Sequence, residues 1–416
     1  MNNSNTIGVV GAGIVGLSTA FFLHDKGHRV TLIDPDPSGD KTSFGNAASF
    51  ATSECVPAGL PGVWKKIPGW LVDPQGPLFL KASSVPELLP WLWAFHRSCQ
   101  PQRIATISQG LASLNADALS AASTIIDAIG YGNHVHHNGT LVLYRNRKSF
   151  EADRLSWSIR EQFGIAYDTV EGEALWALEP ALSQFNSFGV VTNHWSHIDD
   201  PKDLHQRLYR YLIEHSVSCV HAKVVGLEHG SGASVICHTN TGQAMDFETV
   251  VVAAGAFSTD LAKQVGDRVL LTSERGYNAT LPDPGFRLQR PLVFAEQKTV
   301  ATPVASGLRI GGAAEFAGLK APANYKRSEA LVQAVKPIFK TLDTGGMTKW
   351  MGHRPATPDS LPVIGQSPRN PSVFYAFGHG HLGLTQGPIT GQLIADLVSG
   401  HRPSLDTRPY GIERFA

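Results

Sequence analysis

Apolar positions along the chain alternate between short strand-like runs and longer helix-like stripes. The first run starts at Ile7 and reaches the turn Gly11-Ala-Gly13-Ile-Val-Gly16. A helix-forming stretch follows, Leu17-Ser-Thr-Ala-Phe-Phe-Leu-His-Asp-Lys26, with Gly27 as its cap. Arg29-Val-Thr-Leu-Ile33 reads as the next strand and ends on Asp34. From Asp36 to about Gly76 the chain is rich in Gly, Pro, Ser and Thr and predicts long loops. Helices are predicted over Glu87–Arg97, Ile104–Ile129, Ser149–Phe163 and Pro201–Ile213, the last with Asp199 or Asp200 as cap and Pro201 in its first turn. Strands are predicted at Gly139–Tyr144, Lys223–Glu228, Ser234–His238, Phe247–Val252 and Ser372–Phe377. A glycine loop, Gly378-His-Gly-His-Leu-Gly383, then leads to a helix whose body is Thr390–Leu397. No internal period or low-complexity tract appears.

The strand–turn–helix at the start carries chemistry. Gly11 permits the tight turn, Gly13 lets a pyrophosphate approach the backbone, and Gly16 lets helix and strand pack closely. Phosphates then lie on the positive helix end, at the N–H groups of Ile14 and Val15. Asp34, 18 residues after Gly16, is placed to accept hydrogen bonds from an adenosine ribose, with Pro35 beside it. The run Thr249-Val-Val-Val-Ala-Ala-Gly255 reads as a buried parallel strand whose small-residue end, Ala254 and Gly255, lies on the same sheet edge. The fold class is therefore α/β with a dinucleotide-binding sheet.

Composition narrows the partners. The 416 residues suit two or three domains, 42% hydrophobic and 17% charged residues suit a globular chain, and the net charge of zero argues against nucleic acid. Cys55, Cys99, Cys219 and Cys237 share no metal-like spacing and suggest a reducing compartment; no signal peptide is evident, so a cytoplasmic location is expected. His134-Val-His-His137 places histidines on one strand face. With no cysteine or carboxylate adjacent, an exposed strand or turn is preferred over a metal site, and His194 and His197 read the same way.

Taken together, the motifs resemble the FAD-dependent D-amino acid dehydrogenase family, within the group that includes D-amino acid oxidase, glycine oxidase and sarcosine oxidase. The resemblance rests on the first glycine turn with Asp34, Thr42-Ser-Phe-Gly-Asn46-Ala47, Val252-Ala-Ala-Gly255 and Ser273-Glu-Arg-Gly-Tyr277. It rests equally on Leu308-Arg-Ile-Gly-Gly312 with Glu315-Phe316, Gly352-His-Arg-Pro355 with Thr357-Pro-Asp359, and Gly378-His-Gly380. It implies a Rossmann-type FAD domain assembled from about 1–85, 196–268 and 345–416, and a mixed-sheet α+β substrate domain from 86–195 and 269–344. It implies oxidation of a small D-amino acid by hydride transfer from Cα to flavin N5, giving an imino acid and then a 2-oxo acid. Electrons would pass to a quinone or other electron-transfer acceptor, which leaves peripheral contact with a membrane open.

Site roles follow from the same resemblance. Gly11, Gly13, Gly16 and Asp34 would hold the ADP half of FAD, with Val224 nearby; Thr42, Ser43, Asn46, Ala47 and Ala48 would line the ribityl and ring side. Gly380, His381, Leu382, Gly383, Leu384 and Thr385 would present a positive helix end to the flavin ring. Arg354 is the expected carboxylate clamp and Tyr277 a second donor to it. Arg309 is placed either against the flavin or in an ion pair with Glu315. His379 and His381 are candidates for contact with the site, and either would serve to deprotonate the amine. The absence of cysteine after Cys237 removes the partner of a C-terminal thioether link, so FAD is expected to be non-covalent. Trp64, Trp70, Trp91 and Trp93 cluster where such enzymes shape the pocket mouth, which favours a modest apolar or cyclic substrate, such as D-proline or D-hydroxyproline, over a long cationic one; Trp91 and Trp93 read equally as core or surface-covering aromatics of a helix. Alternatives are a secondary-amine or glycine/sarcosine-type oxidase using dioxygen, and a flavoprotein subunit of a multi-subunit dehydrogenase.

Overall fold

In the central strands, successive side chains leave on opposite faces, and both faces are covered. The computed structural model describes residues 5–72, 78–183, 185 and 187–416. Its six-stranded sheet runs in the order Ser218–His221, Arg29–Asp34, Thr6–Val10, Thr249–Val252, Val373–Phe377 and Val363–Gln366. The first five are parallel and the last is antiparallel. Val9 pairs with Val251 and Val10 with Val252. Ile7, Val9 and Val251 face a core shared with the helices Ile14–Asp25, Pro201–Glu214 and Gly383–Val398, whereas Val10, Val250 and Val252 face a second core. That second core is closed by the three-stranded antiparallel sheet Val224–His229, Val235–Thr239 and Ala244–Phe247. Leu17, Leu23 and Leu393 are fully buried between the helices and the sheet, each worth about 1.5–3 kcal/mol.

A nine-stranded mixed sheet stands beside this layer. Its order is Thr348–Ala356, Thr272–Leu281, Gly307–Phe316, Thr299–Val304, Leu292–Phe294, Thr140–Tyr144, Phe188–Thr192 and Asp168–Glu171, with Leu78–Leu80 paired to Gly307–Phe316. The segment 345–416 thus serves both sheets: its first strand pairs with Thr272–Leu281, and its later strands join the parallel sheet.

Several elements differ from the sequence expectation. The stripe Ile104–Ile129 is two helices, Pro101–Ala116 and Ala118–Ala128, broken at Asp117. Ser149–Phe163 is likewise Arg147–Ala152 and Arg154–Gln162. Between them Asp153 accepts from Tyr144 Oη (2.7 Å) and Ser156 Oγ (2.7 Å). The region expected as loops contains the strand Ser49–Ala51 and the helix Val63–Val72. The C-terminal helix begins at Gly383, seven residues before its expected body. Among the described residues no helix is long and apolar enough to cross a membrane.

Candidate cofactor and substrate site

The glycine turn ends the first strand against a neighbouring one. Gly11 has φ +108°, and a Cβ there would lie 2.5 Å from the Ala253 carbonyl. A Cβ on Gly16 would lie 1.9 Å from the Gly11 carbonyl, while one on Gly13 would meet nothing within 4 Å. Two glycines are therefore closed by the protein's own backbone, and the third opens onto free space. That space is a continuous cavity of about 1630 Å³, larger than the roughly 300–1,000 Å³ that holds a drug-sized ligand.

Ala12 is held through both of its backbone polar groups. Its N–H donates to Asp34 Oδ2 (2.8 Å), and its carbonyl accepts from His205 Nε2 (2.7 Å). The other Asp34 oxygen accepts from the Asp36 amide and from Lys41 Nζ, both at 2.9 Å. His205 is fully buried against Phe44, and burial pushes its imidazole down to about 4. It is therefore neutral near pH 7 and donates through Nε2. Its position was legible only as a polar residue within the apolar stripe Leu204–Leu208–Leu212. Burial likewise lowers His197 to about 4. Between about pH 6.5 and 4 the unfolded chain thus binds protons that the folded chain refuses, so stability falls as pH falls. Urea unfolding at pH 8 and pH 5 should show this loss, and His205→Gln, which retains an amide donor, should make it smaller; an unchanged loss would mean that His205 is not held neutral.

The loop that follows lines the same cavity with Thr42, Ser43, Asn46 and Ala47. It is strapped to the large sheet: Asn278 donates to the Gly45 carbonyl (2.8 Å), Thr302 to that of Ala47 (2.9 Å), and Arg309 to those of Phe44 (2.9 Å) and Asn46 (3.1 Å). Arg309 is a correction on the expected ion pair. It stands behind the loop outside the cavity lining, and its guanidinium holds backbone carbonyls rather than Glu315. Gly16 and Ala48 also lie behind the lining, whereas Gly11, Gly13, Ile14, Val15, Asp34, Pro35, Val224, Ala254 and Gly255 are in it.

At the opposite end the helix Gly383–Val398 points its start at the cavity. Gly380, His381, Leu382, Gly383, Leu384 and Thr385 all line it. Thr385 Oγ1 accepts from the Ala51 amide (3.0 Å), which joins the helix to the strand Ser49–Ala51. His379 is buried, bonds Thr390 Oγ1 through Nε2 (2.8 Å), and is pushed down to about 3 by burial. His381 turns its imidazole into the cavity: the ring is open to that space yet surrounded by protein, and this enclosure lowers its pKa against the opposing pull of Glu274 and Glu54.

Arg354 enters from the large sheet, where it is the register partner of Glu274. Its Nη1 donates to Glu274 Oε1 (2.7 Å) and to the Ala313 carbonyl (3.0 Å), and Nη2 to that of Gly312 (3.3 Å). Both members of the pair line the cavity. Glu274 was missed because nothing in Ser273–Tyr277 marks it apart from its neighbours until the strands pair. Tyr277 departs from expectation. Its hydroxyl donates to Glu315 and accepts from the Asn324 amide (3.1 Å), so it is not a second donor to the clamp. The cause is Glu315 itself, a buried carboxylate that collects Tyr277 and Arg275 as donors. The same strand ties the clamp to the helix loop: Gly380 N–H donates to the Pro355 carbonyl (2.9 Å), and Ala356 forms a β-bridge with His379.

The histidine-rich segment is also corrected. A carboxylate does stand near it: Asp199 accepts from His134 Nδ1 (2.9 Å) and His136 Nε2 (2.7 Å). Both nitrogens are spent on that carboxylate, and among the described residues no cluster of three or more metal-ligating side chains is arranged to hold an ion. Trp64 and Trp91 line the cavity, Trp93 is exposed, and the side chain of Trp70 lies outside the described residues.

The donor set fits FAD. Open space lies in front of Gly13, a carboxylate stands at the second strand's end, and a second helix start closes the far side. A D-amino-acid oxidase of Bradyrhizobium diazoefficiens is 34% identical over 422 residues, covering 100% of both chains. A D-amino acid dehydrogenase of Rhizobium rhizogenes is 28% identical, covering 98% of this chain and 99% of the relative. The solved structure of glycine oxidase from Geobacillus kaustophilus superposes with a TM-score of 0.74 at 18% identity, covering 99% and 100% of the two chains, which shows a common fold. The DAO profile, described as FAD dependent oxidoreductase, matches residues 6–397, and the chain belongs to that family of FAD-dependent enzymes.

Proposed function

We propose that the protein oxidises a D-amino acid at its Cα–N bond and passes the electrons to a quinone-type acceptor. The observation that carries this reading is the Arg354–Glu274 pair inside the cavity, which offers one charge of each sign to a zwitterion. Arg354 holds the carboxylate in a bidentate clasp, and Glu274 faces the ammonium. His381, whose lowered pKa leaves it neutral near pH 7, takes a proton from the amine at a ring nitrogen. Bound FAD supplies the two-electron acceptor for the hydride from Cα. The imine product takes up water and releases ammonia and the 2-oxo acid, except where the imine is cyclic.

In this reading Gly11, Gly13 and Asp34 bind the ADP half of the cofactor, Ser43 and Asn46 line its ribityl side, and Gly380–Thr385 meet its ring. Segments 1–85, 196–268 and 345–416 carry FAD, 86–195 and 269–344 roof the substrate, and the strand Thr348–Ala356 crosses into that roof. The enzyme works from the cytoplasmic side, where a membrane quinone is within reach. A second reading, dioxygen as acceptor, is favoured by the 34% relative being named an oxidase.

Anaerobic bleaching of the visible flavin band tests both readings. D-amino acids, including D-proline and D-hydroxyproline, should bleach it faster than their L-enantiomers, glycine or sarcosine. Slow recovery in air with fast recovery on a quinone dye supports the first reading; fast recovery in air supports the second. Bleaching by L-forms alone would overturn both.

A further inference from the structure

We propose that the substrate carries a large apolar side chain of the aromatic D-amino acid class. This rests on the D-amino acid reading above and names the part of the cavity that distinguishes one D-amino acid from another.

Among the residues lining the cavity, Trp64, Leu78, Leu80, Trp91, Phe95 and Phe316 adjoin one another through ring contacts and strand pairing and form one apolar lobe. Trp91 lies parallel to Phe95 (5.3 Å between ring centroids, 10° between planes) and tilts against Phe316 (5.5 Å). Trp64 meets Phe95 edge-on at 5.8 Å. Apart from Trp91 these side chains are only half-buried, and all six line the cavity. Apolar surface kept open inside a cleft is what an apolar ligand group covers, and aromatic walls at these angles add ring-to-ring contact.

Two backbone contacts fix the lobe to the clamp. Trp91 Nε1 donates to the Ala356 carbonyl (3.0 Å), two residues after Arg354. Arg354 itself bonds the Ala313 carbonyl, three residues before Phe316 on the same strand. A carboxylate on Arg354 therefore has the aromatic walls as near neighbours. None of the six side chains that wall the lobe is an acid, so the lobe itself offers a cationic side chain no counter-charge. Elsewhere the cavity is also bordered by Tyr144 and Trp157, but these are 4% and 1% exposed and bonded to each other (2.8 Å), so they offer little surface.

The test is the bimolecular rate constant for anaerobic flavin bleaching of the holoenzyme by D-phenylalanine, D-alanine and D-arginine. D-phenylalanine is expected to exceed D-alanine by about tenfold or more. Phe316→Ala should lower the D-phenylalanine-to-D-alanine ratio by about tenfold. Phe316→Leu, which keeps an apolar side chain on the strand, should fall between and covers the case in which the alanine variant does not fold. A ratio near one, a faster D-arginine, or a ratio untouched by both substitutions would overturn the aromatic lobe and leave the D-amino acid reading in place. Failure of every D-amino acid would overturn both.

Discussion

Arg354→Leu is expected to lower kcat/KM for the preferred amino acid by roughly 30-fold to several thousand-fold. Losing one partner of a close charged pair costs about 2–5 kcal/mol or more, and each 1.4 kcal/mol is a factor of ten. Two effects act in the same direction. The substrate carboxylate loses its clasp, and Glu274, freed from a 2.7 Å contact, now repels that carboxylate. Because the clasp also fixes orientation, kcat should fall together with a rise in KM. Arg354→Lys should recover only part, since an ammonium restores charge but not the planar fork. Steady-state kinetics on variants with intact flavin absorbance decide the matter. A Leu variant within threefold of the wild type would mean that Arg354 holds only the sheet.

The glycines of the first turn should separate folding from cofactor affinity. Gly16→Ala places a methyl against the Gly11 carbonyl, where backbone meets backbone and neither can yield. Such overpacking costs about 1–3 kcal/mol or more, so the melting temperature of the apoprotein should drop. Gly13→Ala meets nothing in the protein, so the apoprotein should melt as the wild type does. Its methyl instead occupies the approach of the pyrophosphate, and the FAD Kd should rise by about five- to 150-fold, the same 1–3 kcal/mol now charged to binding. Flavin fluorescence titration and apoprotein melting, read side by side, make the comparison. Equal FAD affinity in Gly13→Ala would remove the pyrophosphate from this turn.

The parts of the site legible in the sequence are those whose backbone conformation demands a residue type. Gly11 has a positive φ, and the strand Thr249–Val252 is apolar because both of its faces are covered. Such requirements are local and leave a mark at fixed spacing. Partnerships made by long-range pairing leave none. Glu274 becomes the partner of Arg354 only when strands 80 residues apart align, and Glu315 takes the Tyr277 hydroxyl across a separation of 38. Helix breaks were missed for a related reason. Asp117 and Asp153 interrupt stripes whose apolar spacing continues across them, so periodicity alone joins the pieces.

The strand Thr348–Ala356 acts as a ruler. It carries Arg354, the proposed carboxylate anchor, and, through Pro355 and Ala356, is bonded to the loop at His379 and Gly380 that begins the second helix end. In the proposed reading, the span from anchor to redox ring is thus set within a single hydrogen-bonded ribbon. Most of that lobe comes from a different stretch of chain, residues 60–95, with Phe316 as the exception. Substrate preference can therefore drift, or be re-engineered, through that stretch apart from Trp91, whose indole is bonded to the ribbon at Ala356, while the geometry of the chemical step is left untouched.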